Sequence, residues 1–373
     1  MNSDETHKSS VIRHLYAHFP FCARICPYCA FYKTRGDAKE VARFCEALAR
    51  EAEQVANKFP LTLETIFFGG GTPTVLSTEQ LKRLFERFPE IFDLSALREW
   101  NIEANPGSVS AKKAAALREG GINRISLGVQ SWDNELLRLL GREHDAAQAE
   151  ASFRIFRRTG FSNISIDLMF ALPGQTERQW RDSLQKSIVL EPEHISTYCL
   201  TYEEDTEFLA RFESGEFSVT DEKEARFLEL AMTALEQAGY EHYEISNYAR
   251  PGFRSEHNRA YWCGADYIGM GPSAFSTRGL ERWQNVADHS EYARRLSANQ
   301  SPVASIEKLT PAMKRTERIA LGLRTREGIA ADAIDRKSAA DLVSAGLLSH
   351  EAERFTLTRA GKLLADSVAE GLI

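Results

Sequence analysis

Three cysteines near the start of the chain have a spacing that suits metal chemistry. Cys22, Cys26 and Cys29 follow the pattern CxxxCxxC. Zinc usually takes a fourth nitrogen or sulfur ligand, for which His18 and Cys45 are the candidates. A cubane of four irons is usually held by four cysteines, so three thiolates would leave one iron open to another ligand. The spacing therefore predicts either a structural zinc loop or a [4Fe–4S] cluster with an open iron.

A glycine-rich segment and several polar residues follow the predicted strands. The sequence FFGGGTPT occupies residues 67–74, and its glycines let backbone groups approach a ligand closely, although they could also form a tight turn. Glu103, Gln130 and Asp167 lie in or at the ends of predicted strands, where an unpaired polar side chain is costly. Arg142 suits a carboxylate, and the acidic side chains can accept from hydroxyls. Each alone could equally make a strand-end or helix-cap hydrogen bond.

The elements that would position these residues alternate in type along the chain. Short β-branched or aromatic runs alternate with amphipathic stretches, which favours parallel strands joined by crossover helices. The predicted strands are 13–19, 65–68, 99–104, 123–129, 163–169 and 194–200, and the predicted helices are 40–59, 78–88, 111–119, 135–141, 146–159 and 176–190. Six β/α units predict an α/β fold with a partial (β/α)6 TIM-like barrel, whose ligands lie at the C-terminal ends of the strands.

The domain organisation follows from where this alternation starts and stops. After residue 248 the chain becomes rich in Gly, Pro and aromatic residues, which predicts irregular or short-stranded structure covering one end of the barrel. The last region has a helix and strand order typical of a winged helix. The predicted units are a polar tail at 1–11, the barrel at 12–248 with a cluster loop at 20–36, the barrel extension at 249–300, and a small winged-helix-like domain at 301–373.

Composition and charge exclude several classes of protein. The 373 residues carry 46 basic and 53 acidic side chains, a net charge of −7, which disfavours nucleic acid as a partner. Residues 306–373 hold eleven basic and ten acidic side chains, so this region lacks a basic face and a docking or structural role is favoured. No apolar run is long enough for a membrane span, and the N-terminus lacks a secretory signal. We expect a cytoplasmic protein with at most peripheral membrane contact.

The cysteine spacing, placed after a first barrel strand, resembles the signature of the radical S-adenosylmethionine (SAM) superfamily. The resemblance implies a [4Fe–4S] cluster on Cys22, Cys26 and Cys29, with SAM chelating the open iron through its amino and carboxylate groups. The segment GGGTP resembles the one that binds the methionine amino group. Similarity assigns Glu103, Gln130, Arg142 and Asp167 to the methionine carboxylate and the ribose hydroxyls. The full implied SAM set is Tyr16, Tyr28, Gly70, Gly71, Thr72, Glu103, Gln130, Arg142 and Asp167.

Along nearly its whole length the sequence resembles the oxygen-independent coproporphyrinogen III oxidase group. Segments such as YAHFPFC, EANPG, ISLGVQS and DLMFALPGQT carry this resemblance. The decarboxylating oxidases share a fourth cysteine two residues after the third, where this chain has Phe31. The segment His257-Asn258-Arg-Ala-Tyr261-Trp262 matches the HNxxYW motif of the other branch, the HemW heme chaperones. This branch is implied to bind heme and to deliver it to respiratory proteins.

Several alternatives stay open at this point. The heme iron could be ligated by His257, Cys263 or His242; alternatively, His257 and Asn258 cap a turn while Tyr261 and Trp262 pack onto the barrel end. Rival functions are porphyrinogen oxidation, another radical SAM reaction such as methyl transfer, and a binding module with a structural metal. No catalytic residue is identified, and a homodimer stays open. Cys45 and Cys199 are interpreted as small core residues.

Overall fold

The computed structural model describes residues 11–218 and 220–373. Most of the predicted polar tail, residues 1–10, therefore lies outside the described residues. The described part of the chain forms one twelve-stranded sheet and one three-stranded sheet. No helix within it is long and apolar enough to cross a membrane.

The centre of the large sheet consists of the six predicted strands. They are neighbours in chain order, and each pair is parallel. The strands are β1 (Ile12–Phe19), β2 (Leu61–Gly70), β3 (Glu99–Ala104), β4 (Arg124–Gln130), β5 (Ile164–Phe170) and β6 (His194–Cys199). The helices between them are α1 (Ala38–Lys58), α2 (Thr78–Ile91), α3 (Ala111–Glu119), α4 (Asn134–Leu139), α5 (Ala146–Arg158) and α6 (Glu177–Val189). The predicted α/β fold class is confirmed.

Local sequence explains where these helices begin. Ser77 and Thr176 are the N-caps of α2 and α6, and each forms a capping box with a glutamine three residues later. Asp37 and Glu40 form the same arrangement at the start of α1. Such caps satisfy backbone N–H groups that have no partner within the helix. The cap of α1 also fixes where the cysteine loop between β1 and α1 ends.

The sheet continues beyond this centre at both edges. At the β1 edge, β9 (Tyr267–Met270) pairs in parallel with β1, and antiparallel strands β10 (Phe275–Arg278), β11 (Glu281–Asn285) and β12 (Val303–Lys308) follow. At the β6 edge lies the hairpin of β7 (Glu241–Glu244) and β8 (Asn247–Ala249). The accompanying helices are α7 (Glu207–Glu213), α8 (Asp221–Gln237), α9 (Glu256–Trp262) and α10 (His289–Ser297).

The stretch 249–300 therefore does more than cover one end of the barrel. It supplies three strands that lengthen the sheet, and it also supplies α9 at the end where the strands begin. Glu99, the first residue of β3, accepts hydrogen bonds from the backbone N–H groups of Glu256 (2.9 Å) and His257 (3.1 Å). This carboxylate holds the start of α9 beneath the barrel, at the end opposite the cysteine loop.

The C-terminal region forms a separate small unit with its own core. Its sheet contains β13 (Ile329–Ala330), β15 (Arg354–Leu357) and β14 (Leu348–Glu351), in that order, and its apolar centre includes Ile319, Leu323, Phe355 and Val368. Backbone hydrogen bonds from Ile245 to Arg324 (3.1 Å) and from Arg326 to Tyr243 (2.9 Å) join it to the barrel. Its elements are α11 (Pro311–Leu323), β13 (Ile329–Ala330), α12 (Arg336–Ser344), β14 (Leu348–Glu351), β15 (Arg354–Leu357), α13 (Arg359–Leu363) and α14 (Ala365–Glu370).

Candidate functional site

The three clustered cysteines lie on the loop that follows β1. Backbone hydrogen bonds from Cys22 to Thr34 (3.0 Å) and from Thr34 to Pro20 (2.8 Å) tie the two ends of the loop together. All three thiols are free and only partly buried, and they line a cavity of about 510 Å³. Side chains from β2 to β6 also line this cavity, which shows that the sheet curls around it. The cavity opens at the strand ends where ligands bind in such folds.

Among the described residues, neither candidate fourth ligand for zinc, His18 or Cys45, is grouped with the cluster cysteines. His18 donates from Nε2 to the carbonyl of Tyr32 (2.8 Å) and accepts at Nδ1 from the Tyr16 hydroxyl (3.0 Å). Cys45 lies within α1, where burial raises the pKa of its thiol to about 12. In the described part of the chain, no three His, Cys, Asp or Glu side chains are placed to hold one metal ion. Three thiols on one loop fit a cluster, whose thiolates attach to different irons.

The glycine-rich segment packs directly against the cysteine loop. The N–H groups of Gly71 and Thr72 donate to the carbonyls of Phe19 (2.7 Å) and Phe21 (2.8 Å). A Cβ added at Gly71 would lie 2.7 Å from the Phe19 carbonyl oxygen, and Gly70 has φ +103°. Because neither position tolerates a larger residue without strain, these glycines bring the end of β2 against the loop, with Thr72 Oγ1 3.6 Å from Cys22 Sγ.

Two buried carboxyl groups lie deeper in the cavity. Burial and the charge of Asp167 raise the pKa of Glu103 to about 8, and a hydrogen bond from the Gly70 N–H (3.1 Å) opposes this shift. Burial also raises the pKa of Asp167, which accepts from the hydroxyls of Ser126 (2.6 Å) and Ser165 (2.8 Å). Two carboxyl groups in one enclosed space suit a ligand that brings positive charge or hydroxyl donors.

Arg142 places a positive charge between these strands and the cysteine loop. Its Nη2 donates to Asn105 Oδ1 (2.6 Å) and to the Gly128 carbonyl (2.9 Å), and its Nη1 lies 3.6 Å from Cys26 Sγ. Nearby, Gln130 ends β4 with φ 66°, a conformation that costs energy for a residue other than glycine. Its Oε1 is buried and has no hydrogen-bond partner among the described residues. A ligand in the cavity would supply one.

The cavity brings most of the predicted SAM residues together. Tyr16 is not part of its lining; it lies behind it, hydrogen-bonded to His18. Phe31 is 66% exposed and lies at the cavity mouth. The predicted residues in the lining are Tyr28, Gly70, Gly71, Thr72, Glu103, Gln130, Arg142 and Asp167.

Sequence reasoning missed other polar residues of this cavity. Asn101 is fully buried, and both polar atoms of its side chain have no partner in the described part of the chain. It precedes Glu103 by two residues on β3, so strand periodicity could have placed both side chains on the same face. Arg124 and His194, at the starts of β4 and β6, line the deep end of the cavity. Cys199, interpreted as a core residue, also contributes to the lining.

The HNxxYW motif forms α9 and does not converge on one site. His257 is 1% exposed, its Nδ1 shares a hydrogen bond with Thr65 Oγ1 (2.7 Å), and burial lowers its pKa to about 3. Ser255, not His257, caps the helix. Asn258 lines the floor of the cluster cavity, Tyr261 packs against the His257 ring (4.7 Å between centroids), and Trp262 lines a second cavity.

Comparison with known proteins identifies the family. Residues 16–186 match the radical SAM superfamily and residues 309–364 match the HemN C-terminal domain. The heme chaperone HemW of Bacillus subtilis (strain 168) is 36% identical over 367 residues, which cover 95% of this chain and 97% of that protein. The chain belongs to the HemW family. HemW of Lactococcus lactis is 34% identical, and the match covers 95% of this chain and 96% of that protein. HemW of Mycobacterium tuberculosis (H37Rv) is also 34% identical, and the match covers 96% of this chain and 94% of that protein.

A solved structure confirms the architecture that the motifs predict. The coproporphyrinogen III oxidase HemN from Escherichia coli, a radical SAM enzyme, superimposes with a TM-score of 0.84 at 25% identity. The match covers 97% of this chain and 90% of HemN. The resemblance to the radical SAM superfamily and to the HemW branch is thus confirmed.

Proposed function

We propose that this protein is a heme chaperone, which binds heme and passes it to respiratory proteins. The observation that carries the proposal is the match to HemW heme chaperones along 95% of the chain. Phe31 supports it, because this exposed side chain at the cavity mouth stands where the oxidase pattern has a fourth cysteine.

The same proposal gives the protein a [4Fe–4S] cluster on Cys22, Cys26 and Cys29, together with SAM. When bound, the cluster would supply the electron that cleaves a carbon–sulfur bond of SAM. The donor set supports this assignment because three thiols share one loop and open into a cavity with unpartnered polar atoms on Gln130 and Asn101. Membership of the radical SAM superfamily supports it independently.

In this proposal, different cavity residues would contact different parts of SAM. The Arg142 guanidinium, beside Cys26, would pair with the methionine carboxylate, since planar guanidinium groups match carboxylates well. The backbone at Gly70 and Gly71 would bind around the methionine amino group, next to Glu103. Asp167 would accept from the ribose hydroxyls in exchange for its present serine partners. Tyr16 would act indirectly, by orienting His18.

The test separates heme binding from cluster binding. The protein is reconstituted with iron and sulfide without oxygen, loaded with heme, and mixed with an apo respiratory hemoprotein while the transfer is followed optically. Heme should bind and then move to the acceptor. The Cys26→Ala variant should lose the cluster and still bind heme, because the cysteine loop and α9 lie at opposite ends of the barrel. A wild-type protein that binds no heme would refute the proposal.

One rival function has structural support. The likeness to HemN at a TM-score of 0.84 makes anaerobic oxidation of a porphyrinogen the second candidate. Incubating the reconstituted protein and SAM with coproporphyrinogen III in the absence of oxygen distinguishes the two. The chaperone proposal expects no protoporphyrinogen; its formation over many turnovers would establish the oxidase instead. Analysis of the same samples for S-adenosylhomocysteine tests for methyl transfer.

The proposed location is the cytoplasm. A reducing compartment would keep the cysteines as thiols, and all six of them are free in the structure. Fractionation of cells, with the protein detected by antibody, tests this proposal. Recovery from an oxidising compartment would contradict it.

A further inference from the structure

A second cavity lies between α9 and the C-terminal region. Its volume is about 790 Å³, within the range of pockets that hold small organic ligands. Trp262 and Cys263 form one side of this cavity, and residues of α11, β13 and the β13–α12 connection form the other. None of the cluster cysteines contributes to it. It is therefore separate from the cluster cavity, and α9 contributes residues to both.

We propose that this second cavity is the heme-binding site, with Cys263 as the iron ligand. The inference rests on the proposed heme chaperone function and adds the place and the manner of binding. Heme needs three things from a protein: a ligand for iron, flat apolar surface for the macrocycle, and cations for the two propionates. The second cavity provides all three.

The iron ligand follows from comparing the three candidates that the sequence leaves open. His257 is 1% exposed and lies beneath the barrel, so a heme cannot reach it. His242 stacks on Tyr248, donates from Nε2 to the Ile245 carbonyl (3.1 Å) and accepts at Nδ1 from Lys362 (3.0 Å). Only Cys263 of the three is exposed and borders the cavity.

The end of α9 fixes the backbone position of Cys263. The Ala265 N–H donates to the Ala260 carbonyl (3.0 Å), and the Gly264 N–H donates to the Tyr261 carbonyl (2.9 Å). Gly264 has φ +68°, the left-handed conformation that commonly ends a helix. These bonds hold the backbone of Cys263 at the last turn of α9, beside the cavity that Cys263 borders.

The apolar surface comes from both sides of the cavity. The indole of Trp262 borders the cavity and lies close to the Glu244 carboxyl group. An aromatic side chain of this kind offers flat apolar area, which suits contact with a macrocycle. Leu280, Ile319 and Ile329 contribute aliphatic surface.

The cations lie mainly on α11. Arg318 is exposed, borders the cavity and forms no ion pair with any described residue. Lys314 pairs with Glu317, three residues later on the same helix, at 3.5 Å. Arg315 and Arg354 also border the cavity, and both donate to backbone carbonyls there. Glu327 and Asp332 are the acidic residues of the lining, so the cavity carries net positive charge. Charge of this sign suits a ligand with two carboxylates.

The test is a titration of hemin into the full-length protein, read from the Soret band. Cys263→Ser should shift the Soret band of the ferric complex, because thiolate and oxygen ligands give different spectra. Cys45→Ser is the matched control: it changes another free cysteine, one that lies on α1 and borders neither cavity, and should leave the spectrum unchanged. Arg318→Glu should weaken binding roughly tenfold. Arg336→Glu, an exposed arginine of α12 outside the cavity lining, should not.

The possible results separate this inference from the proposed function. The wild-type protein could bind hemin while Cys263→Ser keeps its spectrum and Arg318→Glu keeps its affinity. This result would place the heme elsewhere and overturn the inference, while the chaperone function would stand. Weaker binding in Arg318→Glu with an unshifted spectrum in Cys263→Ser would overturn thiolate ligation. A spectral shift in His257→Gln alone would make that imidazole the ligand. A wild-type protein that binds no hemin would refute the proposed function itself.

Discussion

Replacing Glu99 by alanine should loosen α9, the helix between the two cavities. Glu99 is 4% exposed, and its carboxylate accepts hydrogen bonds from Glu256 N (2.9 Å), His257 N (3.1 Å) and Ser255 Oγ (3.3 Å). A hydrogen bond to a charged group contributes about 1.5–3 kcal/mol, and buried donors left without partners add a further cost. Losing three such bonds would cost at least about 4.5 kcal/mol, and water can replace part of this at the part-buried Glu256 N–H, so we expect Glu99→Ala to lower the free energy of unfolding by about 4 kcal/mol.

The assay combines denaturant unfolding with hydrogen exchange of the α9 amides. Exchange at residues 256–262 should accelerate more than exchange in α3 or α5, which Glu99 does not contact. Glu64→Ala is the control on the neighbouring strand, because Glu64 pairs with Arg13 and Arg98, both more than half exposed. Such surface pairs contribute at most about 1 kcal/mol. Equal losses in the two variants, or unchanged exchange in α9, would refute the assigned role of Glu99.

Three further predictions concern charge and cofactor binding. His242 and His257 have pKa values lowered by burial to about 3 from 6.5, so the unfolded chain binds more protons between these values. Each histidine should lower the free energy of unfolding by about 1.4 kcal/mol per pH unit as the pH falls below 6.5. The free energy of unfolding of His257→Gln, measured by denaturant unfolding, should therefore fall less steeply with pH than that of the wild type. Equal slopes for the two proteins between pH 7 and pH 5 would contradict this prediction. Arg142→Met should weaken SAM binding, measured by calorimetry, roughly a hundredfold. The control Arg138→Met, which changes an exposed arginine of α4, should bind SAM as the wild type does. Equal SAM affinities of Arg142→Met and the wild type would remove Arg142 from the site. Phe31→Ala should leave cluster content unchanged by iron and sulfide analysis, and cluster loss would assign Phe31 a role in assembly.

Much of the barrel could be predicted because its signals are local. Each strand and helix of the β/α alternation carries its own periodicity, and capping residues such as Ser77 and Thr176 mark helix starts within a few residues. The cysteine spacing lies within one loop, so no tertiary information was needed to bring the thiols together. The glycine segment and Glu103 then follow from the parallel order, which aligns all the strand ends at one edge of the sheet.

The position of α9 could not be predicted in the same way. No periodicity in residues 249–300 shows that Glu99, more than 150 positions earlier, binds the start of the helix. The motif HNxxYW suggests one site because its residues are close in sequence. Asn258 and Trp262 are four residues apart, yet α9 lies between two cavities and these side chains border different ones. The second cavity also requires α11, about 50 residues further along the chain.

The measurement that tests the central claim most directly is anaerobic reconstitution with ferrous iron and sulfide, followed by metal analysis and electron paramagnetic resonance. The account predicts about four irons and four sulfides per chain, a signal from the reduced cluster, and a change of that signal when SAM is added. A variant with alanine at Cys22, Cys26 and Cys29 should show none of these, while the Cys45→Ala variant should match the wild type. Bound zinc without iron, or a cluster that survives the triple substitution, would contradict the account.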